Sequence, residues 1–133
     1  MKPSFKKGFS IIELIFVIAV LGIIAAVAVP KLMDSRSNAL ITTIKQDIST
    51  ITSSIQSYHM INNKIDKISN SVNINSTTWD VSDLKAIFNS DEKECVLIEL
   101  NDNKIVVSIN EDSSTLCQKL YDAGVRNTDY ELY

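Results

Sequence analysis

Residues 6–30 read KKGFSIIELIFVIAVLGIIAAVAVP, and this stretch decides the organisation of the whole chain. It opens with two lysines, and no charged residue occurs from Leu14 to Pro30. Residues 9–29 number 21, close to the roughly 20 apolar residues with which a helix crosses a bilayer. The sequence therefore predicts a membrane-spanning helix directly after a short basic segment.

Glu13 separates three interpretations of this stretch. A secretory signal peptide would be cleaved after the apolar run, near Ala26-Val27-Ala28, and a signal anchor would not be cleaved at all. A carboxylate in hydrocarbon costs on the order of 2–3 kcal/mol, and less at the interface, so neither kind of segment gains from Glu13. The third interpretation is a leader that is removed before the apolar run, with Glu13 kept for a charged partner.

Residues 6–14 resemble the processing and methylation motif of type IV pilins and of the pseudopilins of type II secretion. The resemblance extends from Lys6 to about Met33. It implies that a prepilin peptidase cleaves between Gly8 and Phe9 and then N-methylates the new amine of Phe9. It also implies that Glu13 is the residue that serves filament assembly.

Charge pairing gives this resemblance a physical basis. Cleavage after Gly8 creates an α-amine four residues before Glu13 and leaves the apolar run intact. In a filament, the amine of one subunit can meet the carboxylate of its neighbour, because opposite charges attract strongly at low dielectric and an unpaired buried charge is penalised. Gly22 and Pro30 lie where the family places a Gly and a Pro, and we expect them to kink the helix.

An apolar stripe continues the helix beyond Pro30. Its members recur at steps of three or four residues, at Leu40, Ile44, Ile48, Ile51, Ile55 and Tyr58, and weakly at Ile61 and Ile65. This spacing places them on one face of an amphipathic helix. Asn62-Asn63-Lys64 is expected to end the helix, which would be about 80 Å long at 1.5 Å per residue.

Two runs of β-forming residues predict a hairpin in the last part of the chain. Residues 95–100 and 104–109 are rich in Val, Ile and Leu, and Asn101-Asp102-Asn103 between them is typical of a turn. The final segment, residues 126–133, is predicted to be a tail or a last edge strand.

Short helices are predicted on both sides of this hairpin. Residues 80–89 are predicted to be a helix whose buried side is formed by Leu84, Ile87 and Phe88. Residues 113–123 are predicted to be a second helix, capped by Ser113 or Ser114, with Leu116, Cys117 and Leu120 facing inward. The Asn- and Ser-rich stretch of residues 66–78 indicates a loop.

Cys95 and Cys117 are the two cysteines, and both lie beyond the apolar segment. Two cysteines are too few for a zinc site, but they suffice for one disulfide. The 21 residues between them would form a loop whose closure contributes roughly 3 kcal/mol. We expect a disulfide that ties the first hairpin strand to the helix of residues 113–123, with two buried free thiols as the alternative.

The expected fold class is α+β, with a long N-terminal helix packed on a small head that has a short antiparallel sheet and short helices. Residues 1–8 are expected to be a basic leader that is removed, and residues 9–30 a transmembrane and filament-core helix. Residues 31–63 would continue this helix in amphipathic form, and residues 64–133 would form a small periplasmic globular head.

Charge and composition exclude several function classes. From Lys31 onward the chain has ten Lys and Arg against fifteen Asp and Glu, a net charge of −5, which argues against direct binding of nucleic acid. His59 is the only histidine, and no catalytic constellation can be built around it, so we expect no enzyme. The clustered acids lack the spacing of an EF-hand loop. We therefore expect no cofactor, with a calcium site assembled from separate loops as the alternative.

The predicted function is that of a structural subunit, pilin or pseudopilin, in a helical filament assembled from the bacterial inner membrane. Expected partners are further copies of the chain, related minor pilins or pseudopilins, the prepilin peptidase, the inner-membrane assembly platform and membrane lipid. The filament would be a periplasmic pseudopilus or a surface pilus, and type II secretion, DNA uptake and pilus function stay open. The alternative is a signal-anchored periplasmic binding module that is not cleaved and does not polymerise.

Overall fold

The computed structural model describes residues 8–133, so the predicted leader up to Lys7 lies outside the described residues. By their contacts, the residues divide into two compact units, Met1–Asn38 and Ala39–Tyr133. One helix, α1 (Ile11–Asn62), supplies residues to both units.

In the first unit, α1 is exposed on all sides. Every described residue up to Arg36 is exposed, including large apolar side chains such as Ile11 at 79% and Ile23 at 70%. By length and composition this helix could cross a membrane, a property that it shares with a signal sequence. The helix runs through Gly22 and Pro30 without a break, and the kink there stays a prediction.

In the second unit, the same helix turns one apolar face into a core. Ile44, Ile51 and Ile55 have no exposed surface, which confirms the predicted stripe at its centre. The stripe begins differently from the prediction, because Leu40 is 40% exposed and Ile41 is buried in its place. Both residues fit a three-to-four spacing to Ile44, and packing against the head selects between them.

The helix ends at Asn62, as predicted. Asn63 adopts a left-handed backbone with a φ of 56°. Its N–H donates to the carbonyl of His59 at 2.7 Å. Asn tolerates left-handed backbone better than most residues, so the Asn pair stops the helix here.

The head contains a five-stranded antiparallel sheet, with the strands in the order β1-β2-β3-β4-β5. The elements after α1 are α2 (Ile68–Ser71), β1 (Trp79–Val81), β2 (Lys85–Ser90), β3 (Lys93–Asn101), β4 (Lys104–Ile109), a 3₁₀ turn (Glu111–Ser113), α3 (Thr115–Asp122) and β5 (Thr128–Glu131). This α+β architecture confirms the predicted fold class. Because each strand pairs with the next along the chain, the whole sheet is a meander.

Residues 80–89 lie in β1, β2 and the turn between them, so the helix predicted there is wrong. Trp79 pairs with Phe88 across β1 and β2, and their rings lie 5.7 Å apart. Ala86 and Phe88 are buried on one face, whereas Leu84, which a helix would have buried, is 49% exposed. Apolar residues this close together fit either period, and here the pairing with the β1 and β3 strands decides.

The other local predictions for the head are confirmed. β3 and β4 form the predicted hairpin, with Asp102 in the turn at a φ of 51°. Of the two predicted caps of α3, Ser113 and Ser114, the structure selects Ser114, whose hydroxyl accepts the N–H of Cys117 at 3.2 Å. The last segment forms the edge strand β5 instead of a free tail. Within the predicted loop of residues 66–78, the structure adds the one-turn helix α2.

One hydrophobic core joins the second half of α1 to the sheet and to α3. Its buried members are Ile41, Ile44, Ile51, Ile55, Ile68, Trp79, Ala86, Phe88, Cys95, Val96, Ile98, Leu100, Ile105, Val107, Cys117, Leu120, Val125 and Leu132. The predicted disulfide between Cys95 and Cys117 lies inside this core, with the two Cα atoms 5.7 Å apart. It ties β3 to α3, as the sequence predicts.

A partly buried hydrogen bond between Asp47 and Trp79 fixes α1 against β1. The indole Nε1 of Trp79 donates to Oδ2 of Asp47 at 3.0 Å, and Trp79 is 1% exposed. Replacing Asp47 by Ala removes the acceptor of this buried donor, so we expect the free energy of unfolding to fall by about 1–2 kcal/mol. Urea unfolding of the purified chain in detergent measures it, with the exposed neighbour Gln46→Ala as control. Equal stabilities of the two variants would contradict this role of the hydrogen bond.

Candidate functional site

The candidate site lies where α1 begins. Gly8, Phe9 and Ser10 precede the first helical residue. The hydroxyl of Ser10 accepts the N–H of Glu13 at 3.2 Å, and the carbonyl of Ser10 accepts the N–H of Leu14 at 3.2 Å. Ser10 is therefore the N-cap of the helix.

The capping role of Ser10 was not among the predictions from the sequence. A Ser followed three residues later by Glu and then by an apolar run is the spacing of a capping box, so the signal was present. The cap places Glu13 in the first turn of α1. The partial positive charge at a helix N-terminus favours a carboxylate there.

The bond between Gly8 and Phe9 is open to another protein. Both residues are exposed, Phe9 at 83%, and both lie outside the helix. A Cβ added at Gly8 would meet nothing within 4 Å. The fold of the described residues therefore does not require glycine at this position, which fits a requirement set by a partner.

The carboxylate of Glu13 has no charged partner among residues 8–133. The ion pairs of this part of the chain join Lys67 to Asp83, Lys85 to Glu99 and Lys104 to Glu131. The apolar neighbours of Glu13 in the sequence, Ile12 and Leu14, are 77% and 57% exposed. Glu13, without a charged partner among residues 8–133, therefore lies within an exposed apolar surface. Both features are typical of a site that binds a second molecule.

The apolar surface of α1 continues on all sides after this site. A helix that is apolar all round is stable when lipid or other helices surround it. No hydrogen-bonding side chain interrupts the surface between Leu14 and Val29. The arrangement can therefore exchange lipid contacts for helix contacts without burying a new polar group.

The disulfide is a structural feature separate from this site. Cys95 is 1% exposed and Cys117 has no exposed surface. The hydroxyls of Ser113 and Ser114 lie 2.9 and 3.0 Å from the sulfur of Cys117. A disulfide so enclosed is out of reach of reductants, so it acts in stability and not in chemistry.

Metal ligands do not converge in the part of the chain that the structure describes. No group of three or more His, Cys, Asp or Glu side chains there could hold a metal ion. His59 lies half-buried near the end of α1, beside a groove that also involves Glu131 and Tyr133. The pKa of the exposed Glu131 carboxyl is lowered, first by the hydrogen bond that it accepts from the Tyr133 hydroxyl at 2.7 Å. The positive charge of Lys104 lowers it further.

A family model described as the prokaryotic N-terminal methylation motif matches residues 4–29. The type II secretion system core protein G of Pseudomonas aeruginosa is 37% identical over 62 residues, 47% of this chain and 44% of the relative. A fimbrial protein of Pseudomonas aeruginosa is 35% identical over 52 residues, 39% of this chain and 34% of the relative. The core protein G of Klebsiella michiganensis is 30% identical over 64 residues, 48% of this chain and 45% of the relative. No solved structure matches.

These matches confirm that residues 6–14 were correctly recognised as a methylation motif. The chain spans less than half the length of the curated relatives that it matches. The relatives are named as secretion-system and fimbrial proteins.

Proposed function

We propose that this chain, which carries the prokaryotic N-terminal methylation motif, is a structural pseudopilin or pilin subunit of a type IV pilus-like filament. One observation carries the proposal. An exposed Gly8–Phe9 bond stands directly before an all-round apolar helix, and the first turn of that helix holds Glu13, which has no ion-pair partner among residues 8–133. The proposed processing site, membrane segment and assembly residue are contiguous in the chain.

The first step in this function is anchoring in the inner membrane. The apolar part of α1 is long enough to span the bilayer. The lysines at positions 2, 6 and 7 precede it, and such residues stay on the cytoplasmic side. The head would then lie in the periplasm, where the disulfide between Cys95 and Cys117 can form.

The second step is cleavage by a prepilin peptidase between Gly8 and Phe9, followed by N-methylation of Phe9. The product begins with an amine four positions before Glu13. The removed segment holds three lysines. Its loss leaves a terminus whose one cation, the amine, can pair with a carboxylate.

The third step is assembly, in which α1 leaves the lipid and packs against the helices of other subunits. The amine of one Phe9 would pair with Glu13 of a neighbour. Both charges are then out of water, where the pair is favoured over either charge alone. Related minor pilins or pseudopilins and an inner-membrane assembly platform would take part.

The intact mass and the first residue of the chain, recovered from the inner membrane of its host, test this proposal. We expect a chain that starts at Phe9 with one added methyl group. Gly8→Val should block cleavage, because the bulkier side chain stands at the cut bond, and the chain should then start at Met1. Gly22→Val is the matched control, since Gly22 also has open space around it and lies beyond residues 6–14.

A chain that keeps Met1 in the wild type would instead support a signal-anchored periplasmic binding module. A chain that starts near Val29 would indicate ordinary secretion. Either result would contradict the filament function.

Among the machines that use such subunits, we favour type II secretion. The match to the secretion protein covers 47% of this chain at 37% identity, against 39% at 35% for the fimbrial protein. Deletion of the gene should then abolish release of secreted proteins while surface fibres persist. Loss of surface fibres or of DNA uptake, with secretion intact, would assign the chain to the other machines.

A further inference from the structure

A groove of about 330 Å³ lies along α1 within the head. Its walls come from α1, β4, β5 and the segment after α3, all within Ala39–Tyr133. Val107 and Val125 are buried beneath it. The groove is therefore a concave surface built on the core, and the core holds its walls in place.

Two cations are held in this groove by main-chain carbonyls. Nζ of Lys45 donates to the carbonyl of Ala123 at 2.7 Å. The guanidinium of Arg126 donates to the carbonyls of Tyr121 and Val125 and lies 3.7 Å from the centre of the Tyr121 ring. These contacts orient both charges and do not neutralise them.

The groove carries no compensating acid. Among the described residues that line it, none is Asp or Glu, and neither Lys45 nor Arg126 belongs to an ion pair of residues 8–133. The remaining lining residues include hydroxyl and amide groups on α1 and β5, at Ser49, Ser53, Gln56 and Thr128. The chain beyond Lys31 is acidic, so this groove is a positive site on a negative protein, and it suits an anionic occupant.

An acidic turn occurs elsewhere on the head. The turn between β2 and β3 consists of Asp91 and Glu92, with φ angles of 53° and 62°. Two-residue turns of this kind favour Asn and Gly, and here they carry two carboxylates at the tip. Within residues 8–133, neither side chain has a hydrogen bond or an ion pair.

We propose that the groove of one subunit receives the Asp91–Glu92 turn of a second copy of this chain. The inference rests on the proposed filament function, which brings copies together. In the strand order, β5 forms one edge of the sheet, and the turn joins β2 to β3 toward the other edge. Groove and turn are different surfaces, so a head-to-tail contact between them can repeat along a filament.

Charge reversal in the full-length chain tests the contact in filaments assembled by the host, measured by sedimentation and electron microscopy. Lys45→Glu with Arg126→Glu should lower filament yield about fivefold or more, because like charges then face each other. Asp91→Lys with Glu92→Lys should do the same. The four substitutions together should restore the yield to within about twofold of wild type, since the pair is only inverted.

Lys64→Glu with Lys119→Glu is the matched control, because it changes the net charge equally away from the groove. Restoration by the fourfold variant excludes misfolding, since an unfolded chain cannot be rescued by a charge on another surface. A fourfold variant that assembles no better than the groove variant alone overturns the proposal.

A cysteine pair provides a second readout that separates this contact from the filament function. Ser53→Cys combined with Asp91→Cys should give a ladder of disulfide-linked oligomers in filaments, whereas Ser53→Cys combined with Thr77→Cys should not. If the wild-type chain forms filaments but the Ser53→Cys and Asp91→Cys variant gives no ladder, the docking of the turn is overturned and the proposed function stands. Absence of wild-type filaments would overturn both.

Discussion

Replacing Glu13 by Ala is expected to lower filament assembly at least about 100-fold, because removing one member of a buried ion pair leaves the other charge unpaired. The charge left unpaired would be the methylated amine of Phe9 in a neighbouring subunit. In the single chain, Glu13 is exposed and has no ion-pair partner among the described residues, so the substitution should leave the stability of the head unchanged. The loss should appear only when subunits pack.

Sedimented filament per cell, normalised to membrane-inserted chain, measures this effect. Glu13→Gln keeps the shape of the side chain and removes its charge, and it should lose as much as Glu13→Ala. Ser10→Ala is the control for the helix cap, since it removes the hydroxyl that accepts the N–H of Glu13 and costs about 1 kcal/mol of helix stability. Assembly of Glu13→Ala at the wild-type level would refute the charge pairing, and an equal loss in Ser10→Ala would assign the role to the cap.

Removing the disulfide with Cys95→Ala and Cys117→Ala is expected to lower the free energy of unfolding by about 3 kcal/mol. The closed loop has a sequence separation of 22, and without the bond the unfolded chain gains the entropy of opening that loop. The head has few other interactions that could offset this loss of stability. Its core depends on contacts between α1, the sheet and α3, and a domain of this size buries only a modest fraction of its surface.

Thermal and urea unfolding of the full chain in detergent measure this effect. At about 4–8 °C per kcal/mol for a small domain, the midpoint should fall by roughly 12–24 °C. A reductant present during unfolding should lower the wild type to the level of the variant and leave the variant itself unchanged. The assigned role of the disulfide would be contradicted if reductant changed the unfolding midpoint of the variant. It would also be contradicted if wild type and variant had equal midpoints without reductant.

Local signals were sufficient for several parts of the fold. The Asn pair that ends α1, the turn at Asp102 and the Ser114 cap were predicted from single residues with a specific backbone preference. Each preference acts within a few residues of the chain. The Ser10 cap belongs to the same class, and its spacing to Glu13 could have revealed it.

Residues 80–89 show where local signals stopped being sufficient. Leu84, Ile87 and Phe88 have a spacing that a helix or a strand can use. Phe88 became a strand residue because Trp79 lies opposite it across β1 and β2, and because β3 pairs with the other edge of β2. Those partners lie outside residues 80–89, so the spacing within the segment carries no information about the pairing.

The amino-acid sequence by itself determined the methylation motif, the apolar run and the helical stripe, because charge, hydropathy and residue period are properties of neighbouring residues. Only the tertiary structure decided the strand identity of residues 80–89, the edge position of β5 and the groove that holds Lys45 and Arg126. Lys45 and Arg126 are 81 positions apart in the chain. Packing α1 against the sheet brings them together, and the period of a single segment carries no information about that packing.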